Sequence, residues 1–143
     1  SAGLAARIDE RGAGGDAALA SAREALARFA DGPLLARLAA LRDGVIACEL
    51  PVLLQAELEG NGAIGFVTGA IDLLYRDPGS GELVVVDYKT DRVEGEAALR
   101  ERAERYRGQA RHYRRAVQEA LGLPAPPRFE LWFLHVGAVV PVG

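Results

Sequence analysis

The sequence predicts a mixed α/β (α+β) domain in which helices flank a central sheet. Apolar residues at helical spacing lie in the first 43 positions and in residues 96–121, whereas β-branched runs bounded by turn residues fill the remainder. The resulting order of two helices, three antiparallel strands, a long helix and further strands is typical of a layered domain. A length of 143 residues suits one compact core.

Each predicted element has its own start or stop signal. Asp16 is placed to cap a helix that runs to about residue 30, and Pro33 begins a second helix that Gly44 ends. Three strands are predicted at 45–58, 63–76 and 83–89, with the turn sequences EGNG and DPGSGE between them. A long helix over 96–121 stops at Gly122, and strands at 128–136 and 138–142 complete the chain.

We expect one domain over residues 1–143, in which residues 1–43 supply N-terminal helices and residues 44–143 form the core. The chain contains no methionine. We therefore expect it to be a segment of a longer polypeptide.

Composition narrows the class of protein. Half of the residues are apolar and 26% are charged, which is typical of a globular protein, and no apolar run is long enough to cross a bilayer. The first residues lack the apolar stretch of a signal peptide. The lone Cys48 excludes an internal disulfide, is expected to be a buried small residue of its strand, and fits a reducing cytoplasm. A net charge of −3 means that nucleic acid binding would require a local basic patch.

The hairpin around DPGSGE brings two aspartates together. With Pro78 to Gly81 as a four-residue loop, Asp72 lies directly across from Asp87. Opposed residues of an antiparallel pair have Cβ atoms about 4.5 to 5.5 Å apart on one face of the sheet. Lys89, two residues beyond Asp87, shares that face. The sequence therefore predicts two carboxylates and one ammonium at the open end of a hairpin.

Two interpretations of this cluster are open. Opposed like charges destabilise a sheet unless they are neutralised, and two carboxylates suit a hard cation such as Mg²⁺ or Mn²⁺. The alternative is a surface salt bridge, which contributes roughly 0 to 1 kcal/mol. Lys89 is the only lysine beside sixteen arginines. Its compact ammonium can hold an attacking water or stabilise developing negative charge in a way that a planar guanidinium does not.

Four separated motifs resemble the RecB/AddA-type branch of the PD-(D/E)XK nucleases and occur in that family's order over about residues 45–143. They are E-x-P (Glu49, Pro51), G-x-I-D (Gly69 to Asp72), D-Y-K-T-D (Asp87 to Asp91) and Y-x-x-Q-x-x-x-Y (Tyr106, Gln109, Tyr113). The final LWFLHVGAVVPV segment also resembles the last strands of the AddA-type protein. The resemblance implies a restriction-endonuclease-like core, with a mixed central sheet that contains a three-stranded antiparallel meander and is flanked by helices.

The resemblance also implies roles for individual residues. Those with implied catalytic roles are Asp72, Asp87, Lys89, Gln109, Tyr113 and Glu49. The two aspartates and the backbone carbonyl of Tyr88 would bind Mg²⁺ or Mn²⁺, and the lysine would orient or activate the water. The glutamine and tyrosine would lie on the helix beside the site, near the water or the DNA, and the glutamate would support the site from the neighbouring strand.

The activity implied is that of a metal-dependent DNA nuclease, an exonuclease on single-stranded ends. Such domains are the C-terminal nuclease domains of bacterial ATP-dependent helicase–nucleases (UvrD/Rep-like helicase family) in double-strand break repair and recombination. The partners implied are single-stranded DNA, a helicase motor upstream in the same chain and a second helicase–nuclease subunit, without a membrane. The location implied is the bacterial cytoplasm, in association with the nucleoid.

One departure from the family pattern keeps other functions open. The family usually has a histidine in a G-x-x-x-H pattern on an N-terminal helix, where this chain has Gly3 and Arg7, and arginine cannot ligate a metal. The only histidines, His112 and His135, lie far downstream. The alternatives are a degenerate, non-catalytic nuclease fold that binds DNA or partner domains, and a metal-free interaction domain in which the cluster is a salt bridge.

The long helix combines an apolar face with a basic surface. Tyr106 is expected to be a core residue of the apolar face, and His112 to be exposed. Seven arginines lie on this helix, namely Arg100, Arg102, Arg105, Arg107, Arg111, Arg114 and Arg115. Some are expected to pair with glutamates at i,i+3 or i,i+4 spacing, and the others to be available to phosphates. The candidate DNA contacts are Arg92, Arg105 and Arg111, while Asp91 is expected to hold the strand end.

Overall fold

The computed structural model describes residues 32–57 and 64–143, together with residues 19, 20, 23, 27 and 62. The backbone at 19, 20, 23 and 27 is helical. The remainder of the predicted first helix, the EGNG turn except Gly62, and the Gly3–Arg7 pattern lie outside the described residues.

The elements with described bounds follow the predicted order. Helix α1 spans Pro33–Leu41 and continues into a 3₁₀ turn, Arg42–Gly44. Strands β1, β2 and β3 span Val45–Glu57, Ile64–Arg76 and Leu83–Lys89. Helices α2 and α3 span Glu96–Arg105 and Arg107–Leu121, and strands β4 and β5 span Arg128–Phe133 and Ala138–Val142. No helix in this part of the chain is long and apolar enough to cross a bilayer.

The described strands form one mixed sheet in the order β1-β2-β3-β4-β5. Neighbouring strands are antiparallel except β3 and β4, which are parallel and are connected through α2 and α3. The first three strands are the predicted antiparallel meander. The mixed sheet flanked by helices confirms the predicted fold class.

The sheet separates two apolar cores. On the face covered by α1, which we call the α1 face, the buried residues are Leu34, Leu41, Leu73, Tyr75, Val84, Val86 and Trp132. On the opposite face, which we call the α3 face, the strands bury Ile71, Leu74, Leu83, Val85, Phe129, Leu131 and Phe133 against Ala103, Ala110, Tyr113 and Val117 of the two helices. Residues 83 to 86 are buried on both sides, as expected for a strand in the middle of a layered domain.

The register of the β2–β3 hairpin agrees with the sequence prediction. The ladder runs from Arg76–Leu83 to Leu73–Val86, and Asp77 N–H donates to the Glu82 carbonyl at 2.8 Å to close the four-residue loop. The Asp77 carboxylate also accepts the Gly79 N–H at 2.9 Å, which stabilises the turn. Turn chemistry therefore fixes the pairing that brings the two aspartates together.

Three local predictions were wrong. The long helix is broken at Tyr106 (φ −95°, ψ 2°), whose N–H bonds to the Ala103 carbonyl three residues back instead of four. The strand predicted to reach residue 136 ends at Phe133, because Gly137 N–H donates to the Phe133 carbonyl at 2.9 Å and closes a turn. Cys48 is exposed because its strand, β1, is the edge of the sheet.

Candidate functional site

The candidate site lies where β2 separates from β3. The β2–β3 ladder ends at Leu73–Val86, and the preceding part of β2 pairs with β1 alone. Side-chain alternation breaks at the same point, because Ile71 and Leu74 both face the α3 core although they are three residues apart. Asp72 lies in this break.

The neighbouring strand β1 is irregular at the same level. Glu49 lies across from Asp72, between the pairs Cys48–Leu73 and Leu50–Ile71. Its φ of +52° makes it the one non-glycine residue with a positive φ in the described part of the chain. Such a backbone is unfavourable for a residue with a Cβ and persists only where the surrounding structure imposes it. The positive φ of Glu49 and the break in alternation at Asp72 thus lie at the same level of the two strands.

Asp72 uses its carboxylate where a strand partner would otherwise pair. Its Oδ2 atom accepts the backbone N–H of Tyr88 at 2.7 Å. Burial raises the pKa of Asp72 to about 7, and the neighbouring Asp87 carboxylate contributes through a hydrogen bond and charge repulsion, while the Tyr88 N–H and Lys89 oppose the change. Burial and the neighbouring carboxylate therefore both disfavour the charged form of Asp72.

Asp87 and Lys89 form the other half of the cluster. Lys89 Nζ lies 2.7 Å from Asp87 Oδ2, and the two side chains are only 15% and 13% exposed. Despite this ion pair, Asp87 Oδ2 is buried and has no partner in hydrogen-bonding geometry among the described residues. The contact is thus electrostatic, and the oxygen keeps lone pairs for another ligand.

Gln109 and Tyr113, which the family resemblance implies to lie beside the site, are on α3 near the same cluster. Gln109 Oε1 lies 3.2 Å from Lys89 Nζ. The Tyr113 ring is buried and stacks on Phe129, with ring centroids 6.4 Å apart. Burial and the charge of Asp87 raise the pKa of Tyr113, although hydrogen bonds with the Ala70 backbone and the Gln109 side chain oppose this. The glutamine therefore connects the lysine to the tyrosine.

Gly69 makes room for Tyr113. A Cβ atom on Gly69 would lie 2.7 Å from the Tyr113 hydroxyl and 3.2 Å from its ring. Both atoms belong to a rigid side chain that is buried against Phe129. The glycine of the G-x-I-D motif is thus needed for close approach between β2 and α3.

Glu49 is not brought into the cluster. Its side chain is exposed, in spite of its backbone position across from Asp72. Within residues 32–57 and 64–143 and the few described positions outside them, no three His, Cys, Asp or Glu side chains group closely enough to hold a metal. Among the described residues, the side-chain oxygens that this site offers to a metal are therefore those of the two aspartates.

Sequence reasoning missed a second polar cluster beside the first. Tyr106 was expected to be a core residue and Asp91 to hold the strand end, and the contact between them was not predicted: the Tyr106 hydroxyl donates to Asp91 Oδ2 at 3.0 Å. Arg102 binds the same oxygen at 2.7 Å. The Tyr106 ring faces Lys89 Nζ, which lies 3.9 Å from the ring centroid. The three-residue spacing of Tyr106 and Gln109 on one helical face was the signal in the sequence that could have indicated this.

Most arginines of α2 and α3 are occupied by local partners. Arg100, Arg105, Arg107 and Arg115 pair with glutamates three or four residues away. Arg102 binds Asp91, and Arg114 donates to the Pro127 carbonyl at 2.7 Å. Arg111 is exposed and is the one of the seven without an ion pair or hydrogen bond to the described residues.

Of the three candidate DNA contacts, Arg111 alone thus offers a guanidinium that is unpaired within the described residues. Arg105 is exposed but lies 3.4 Å from Glu101. Arg92 is exposed on the loop after β3 and interacts with neighbouring groups. The two histidines lie apart from the cluster, His112 exposed on α3 and His135 buried in the turn between β4 and β5.

The donor set of the aspartate pair fits a hard divalent cation. Two carboxylates in contact, one with a buried oxygen that lacks a hydrogen bond to the described residues, present the oxygen ligands that Mg²⁺ and Mn²⁺ prefer. Burial, and after it the neighbouring Asp87 carboxylate, raises the pKa of Asp72, and a bound cation would oppose this change. Within the part of the chain that the structure describes, Lys89 is the cation in contact with the pair.

Comparison with known proteins gives a family and two relatives. The profile of the PD-(D/E)XK nuclease superfamily matches residues 2–140. A segment of 57 residues, 38% of the chain, is 56% identical to an ATP-dependent helicase/nuclease subunit from Desulforudis audaxviator (strain MP104C). A segment of 58 residues, 39% of the chain, is 45% identical to the protein of the same name from Enterococcus faecalis (strain ATCC 700802 / V583). Each matched segment spans 4% of the relative's length.

Proposed function

The chain belongs to the PD-(D/E)XK nuclease superfamily, and from this premise we propose that it is the metal-dependent DNA nuclease domain of an ATP-dependent helicase–nuclease. The reaction is hydrolysis of phosphodiester bonds, as an exonuclease on single-stranded ends, in double-strand break repair and recombination. Residues 1–143 form one domain in this proposal. The names of the two relatives support a helicase–nuclease with more than one subunit. The proposed setting also includes a helicase motor in the same polypeptide and a location at the bacterial nucleoid.

The observation that carries the proposal is the under-neutralised pair of aspartates beside a buried lysine. Asp72 and Asp87, with the backbone carbonyl of Tyr88, are the proposed ligands of Mg²⁺ or Mn²⁺. When bound, the cation supplies positive charge to the scissile phosphate and makes water at the site more acidic. A purely structural ion pair would leave neither a carboxylate with a strongly raised pKa nor an oxygen without a hydrogen bond.

The remaining residues hold the reacting groups in place. The Lys89 ammonium, fixed between Asp87 and Gln109, is placed to hold the attacking water and to stabilise negative charge that develops on the phosphate. The attacking water gives up a proton to solvent as its oxygen forms a bond to phosphorus, the phosphorus–oxygen ester bond breaks, and the leaving oxygen takes up a proton from solvent. Tyr113 keeps Gln109 in position, and Arg111 is the proposed phosphate contact of the strand.

Cleavage of DNA tests the proposal directly. We expect the chain to release nucleotides from end-labelled single-stranded DNA in the presence of Mg²⁺ or Mn²⁺. Asp87→Ala should lower this rate by about 100-fold or more, because it removes a ligand and the lysine's partner. Asp43→Ala is the matched control, since Asp43 is an exposed aspartate of the 3₁₀ turn. Equal activity in wild type and Asp87→Ala would exclude this site as the nuclease centre.

A non-catalytic nuclease fold that binds DNA or partner domains is the second candidate. It is supported by Arg7 at the histidine position of the family pattern and by the lack of a third ligand side chain among the described residues. Titration with Mn²⁺ separates the two candidates. An active site should bind Mn²⁺ and lose it in Asp72→Asn, whereas a binding module should show the same weak response in both proteins.

A further inference from the structure

Lys89 has three neighbours that together fix its ammonium. Nζ lies 2.7 Å from Asp87 Oδ2, 3.2 Å from Gln109 Oε1 and 3.9 Å from the centroid of the Tyr106 ring. The last distance is well within the roughly 6 Å over which an ammonium is attracted to an aromatic face. The lysine side chain is only 15% exposed. A cation–π contact is strongest under such desolvated conditions.

The Tyr106 ring is held from its far end. Its hydroxyl donates to Asp91 Oδ2 at 3.0 Å, and Arg102 binds that same oxygen at 2.7 Å. Although burial opposes the change, hydrogen bonds from Arg102 and Tyr106 lower the pKa of Asp91, so the carboxylate remains an acceptor. The ring therefore has one fixed end and one face that is turned toward Lys89.

Tyr106 also occupies an irregular backbone position. It lies in the break between α2 and α3, where its ψ of 2° departs from helical geometry. An uninterrupted helix from residue 96 to 121 would direct this side chain differently relative to Gln109. The break thus sets the angle at which the ring meets the ammonium.

We propose that Tyr106, held by Asp91 and Arg102, is a positioning residue that fixes the Lys89 ammonium beside Asp87. This inference rests on the proposed nuclease function for its catalytic consequence. A ring face attracts the cation without adding a third negative charge near the scissile phosphate, which a further carboxylate would do. An arginine at this position would lay its planar guanidinium flat on the ring, whereas the compact lysine ammonium contacts the ring and Asp87 together. This accounts for a lysine at position 89 in a chain whose other cations are arginines.

The single lysine makes the contact directly observable. Labelling with ¹³C,¹⁵N-lysine gives one set of side-chain resonances, all from Lys89. The ring current of Tyr106 should shift the Hε protons of Lys89 upfield in the wild-type chain. Tyr106→Leu should abolish this shift, and Tyr106→Phe, which keeps the ring but loses its bond to Asp91, should keep part of it. An identical Lys89 spectrum in wild type and Tyr106→Leu overturns the proposal.

Tyr75→Phe is the matched control. The Tyr75 hydroxyl also donates to a carboxylate, Glu130 Oε1 at 2.8 Å, but on the α1 face. Both Tyr→Phe variants thus lose one tyrosine–carboxylate hydrogen bond. The Tyr106 ring is in contact with Lys89, whereas Tyr75 is buried on the other face of the sheet. Tyr75→Phe should leave the Lys89 resonances unchanged. If Tyr106→Leu does not fold, Asp91→Ala replaces it. This variant releases the far end of the ring, so the chemical shift of Lys89 should move toward the value of an exposed lysine. An unchanged shift in Asp91→Ala overturns the proposal.

Nuclease kinetics form a separate arm. Tyr106→Leu should lower kcat by about tenfold with an unchanged KM for DNA, as expected from loss of one desolvated cation–π contact. Tyr106→Phe, which keeps the ring but loses its bond to Asp91, should recover part of that loss. A role in packing alone predicts instead that kcat falls only together with the unfolding temperature. If the wild-type chain has no nuclease activity, the proposed function is contradicted. The contact between Tyr106 and Lys89 is then tested by the lysine spectrum alone. Activity that is equal in wild type and Tyr106→Leu overturns the positioning role.

Discussion

The two faces of the sheet treat buried carboxylates in opposite ways. On the α1 face, Glu130 is 3% exposed and accepts hydrogen bonds from the Tyr75 hydroxyl at 2.8 Å and the Trp132 indole at 3.2 Å. Arg37 and Arg128 bind its other oxygen at 3.4 and 3.2 Å. On the α3 face, Asp72 and Asp87 share one lysine. Both oxygens of Glu130 thus have hydrogen-bond donors within the protein, whereas Asp87 Oδ2 is buried without one among the described residues. The first arrangement is typical of a structural carboxylate and the second of a binding site.

Removal of Glu130 should give the largest effect on stability. Glu130→Ala leaves the buried Tyr75 hydroxyl and Trp132 N–H without this acceptor and removes the carboxylate that pairs with Arg37, while Arg128 keeps Asp77. We therefore expect a loss of about 3 kcal/mol in the free energy of unfolding. Urea unfolding measures this. Glu119→Ala, which removes an exposed helical ion pair with Arg115, should cost less than about 0.5 kcal/mol. Similar losses in the two variants would contradict the structural role of Glu130.

Neutralisation of Asp72 should have the opposite sign. The pKa of Asp72 is about 7 in the folded chain, above its ordinary value of 3.8, so the folded state binds this proton more tightly than the unfolded state does. Wild type should therefore lose stability as pH rises from about 4 through 7, and Asp72→Asn should escape this loss. At pH 7.5 and without metal we expect the variant to be more stable by on the order of 1 to 2 kcal/mol.

Thermal unfolding at several pH values checks the prediction for Asp72. The advantage of Asp72→Asn should shrink toward acid pH, and millimolar Mn²⁺ should stabilise wild type but not the variant. Asp43→Asn serves as the exposed control. If Asp72→Asn is less stable than wild type throughout the neutral range, the aspartates are a satisfied structural pair like Glu130, and the contrast between the two faces fails.

The comparison extends to the cations of α2 and α3, with a smaller effect. Arg105 is engaged by Glu101, while Arg111 is unpaired within the described part of the chain. Arg111→Ala should weaken binding of single-stranded DNA a few-fold and reduce the dependence of log affinity on log salt by about 0.7, the value for one released phosphate contact. Arg105→Ala should change both quantities less. Binding titrations over a range of salt concentrations measure the difference, and equal slopes in the two variants would show that pairing does not decide which arginine meets DNA.

Local signals in the sequence were enough to predict the hairpin at the centre of the site. The DPGSGE turn determines the register through hydrogen bonds within the turn itself, such as that from Gly79 N–H to the Asp77 carboxylate, so the approach of Asp72 and Asp87 could be worked out from spacing. The bounds of β3 and β5 were likewise given by β-branched runs between turn residues. The family and fold class followed from motif order and are confirmed.

Features that depend on contacts between distant elements could not be predicted in this way. The Tyr106 break, the Asp91–Arg102 pair and the choice of which arginines are occupied arise from how α2 meets the end of β3. The positive φ of Glu49 could not be predicted from the two-residue alternation of strand side chains either, because that alternation assumes an uninterrupted strand. Spacing locates side chains along an element, and packing between elements decides what they touch.

The close approach of Gly69 and Tyr113 has a consequence for the history of this chain. Because the Tyr113 hydroxyl fills the space of a Cβ at position 69, alanine at 69 and tyrosine at 113 exclude each other in this packing. Among descendants of a common ancestor, the two positions should therefore change together, with loss of the hydroxyl accompanying any side chain at 69. The glycine and the tyrosine, 44 positions apart in the sequence, are expected to be inherited as a unit.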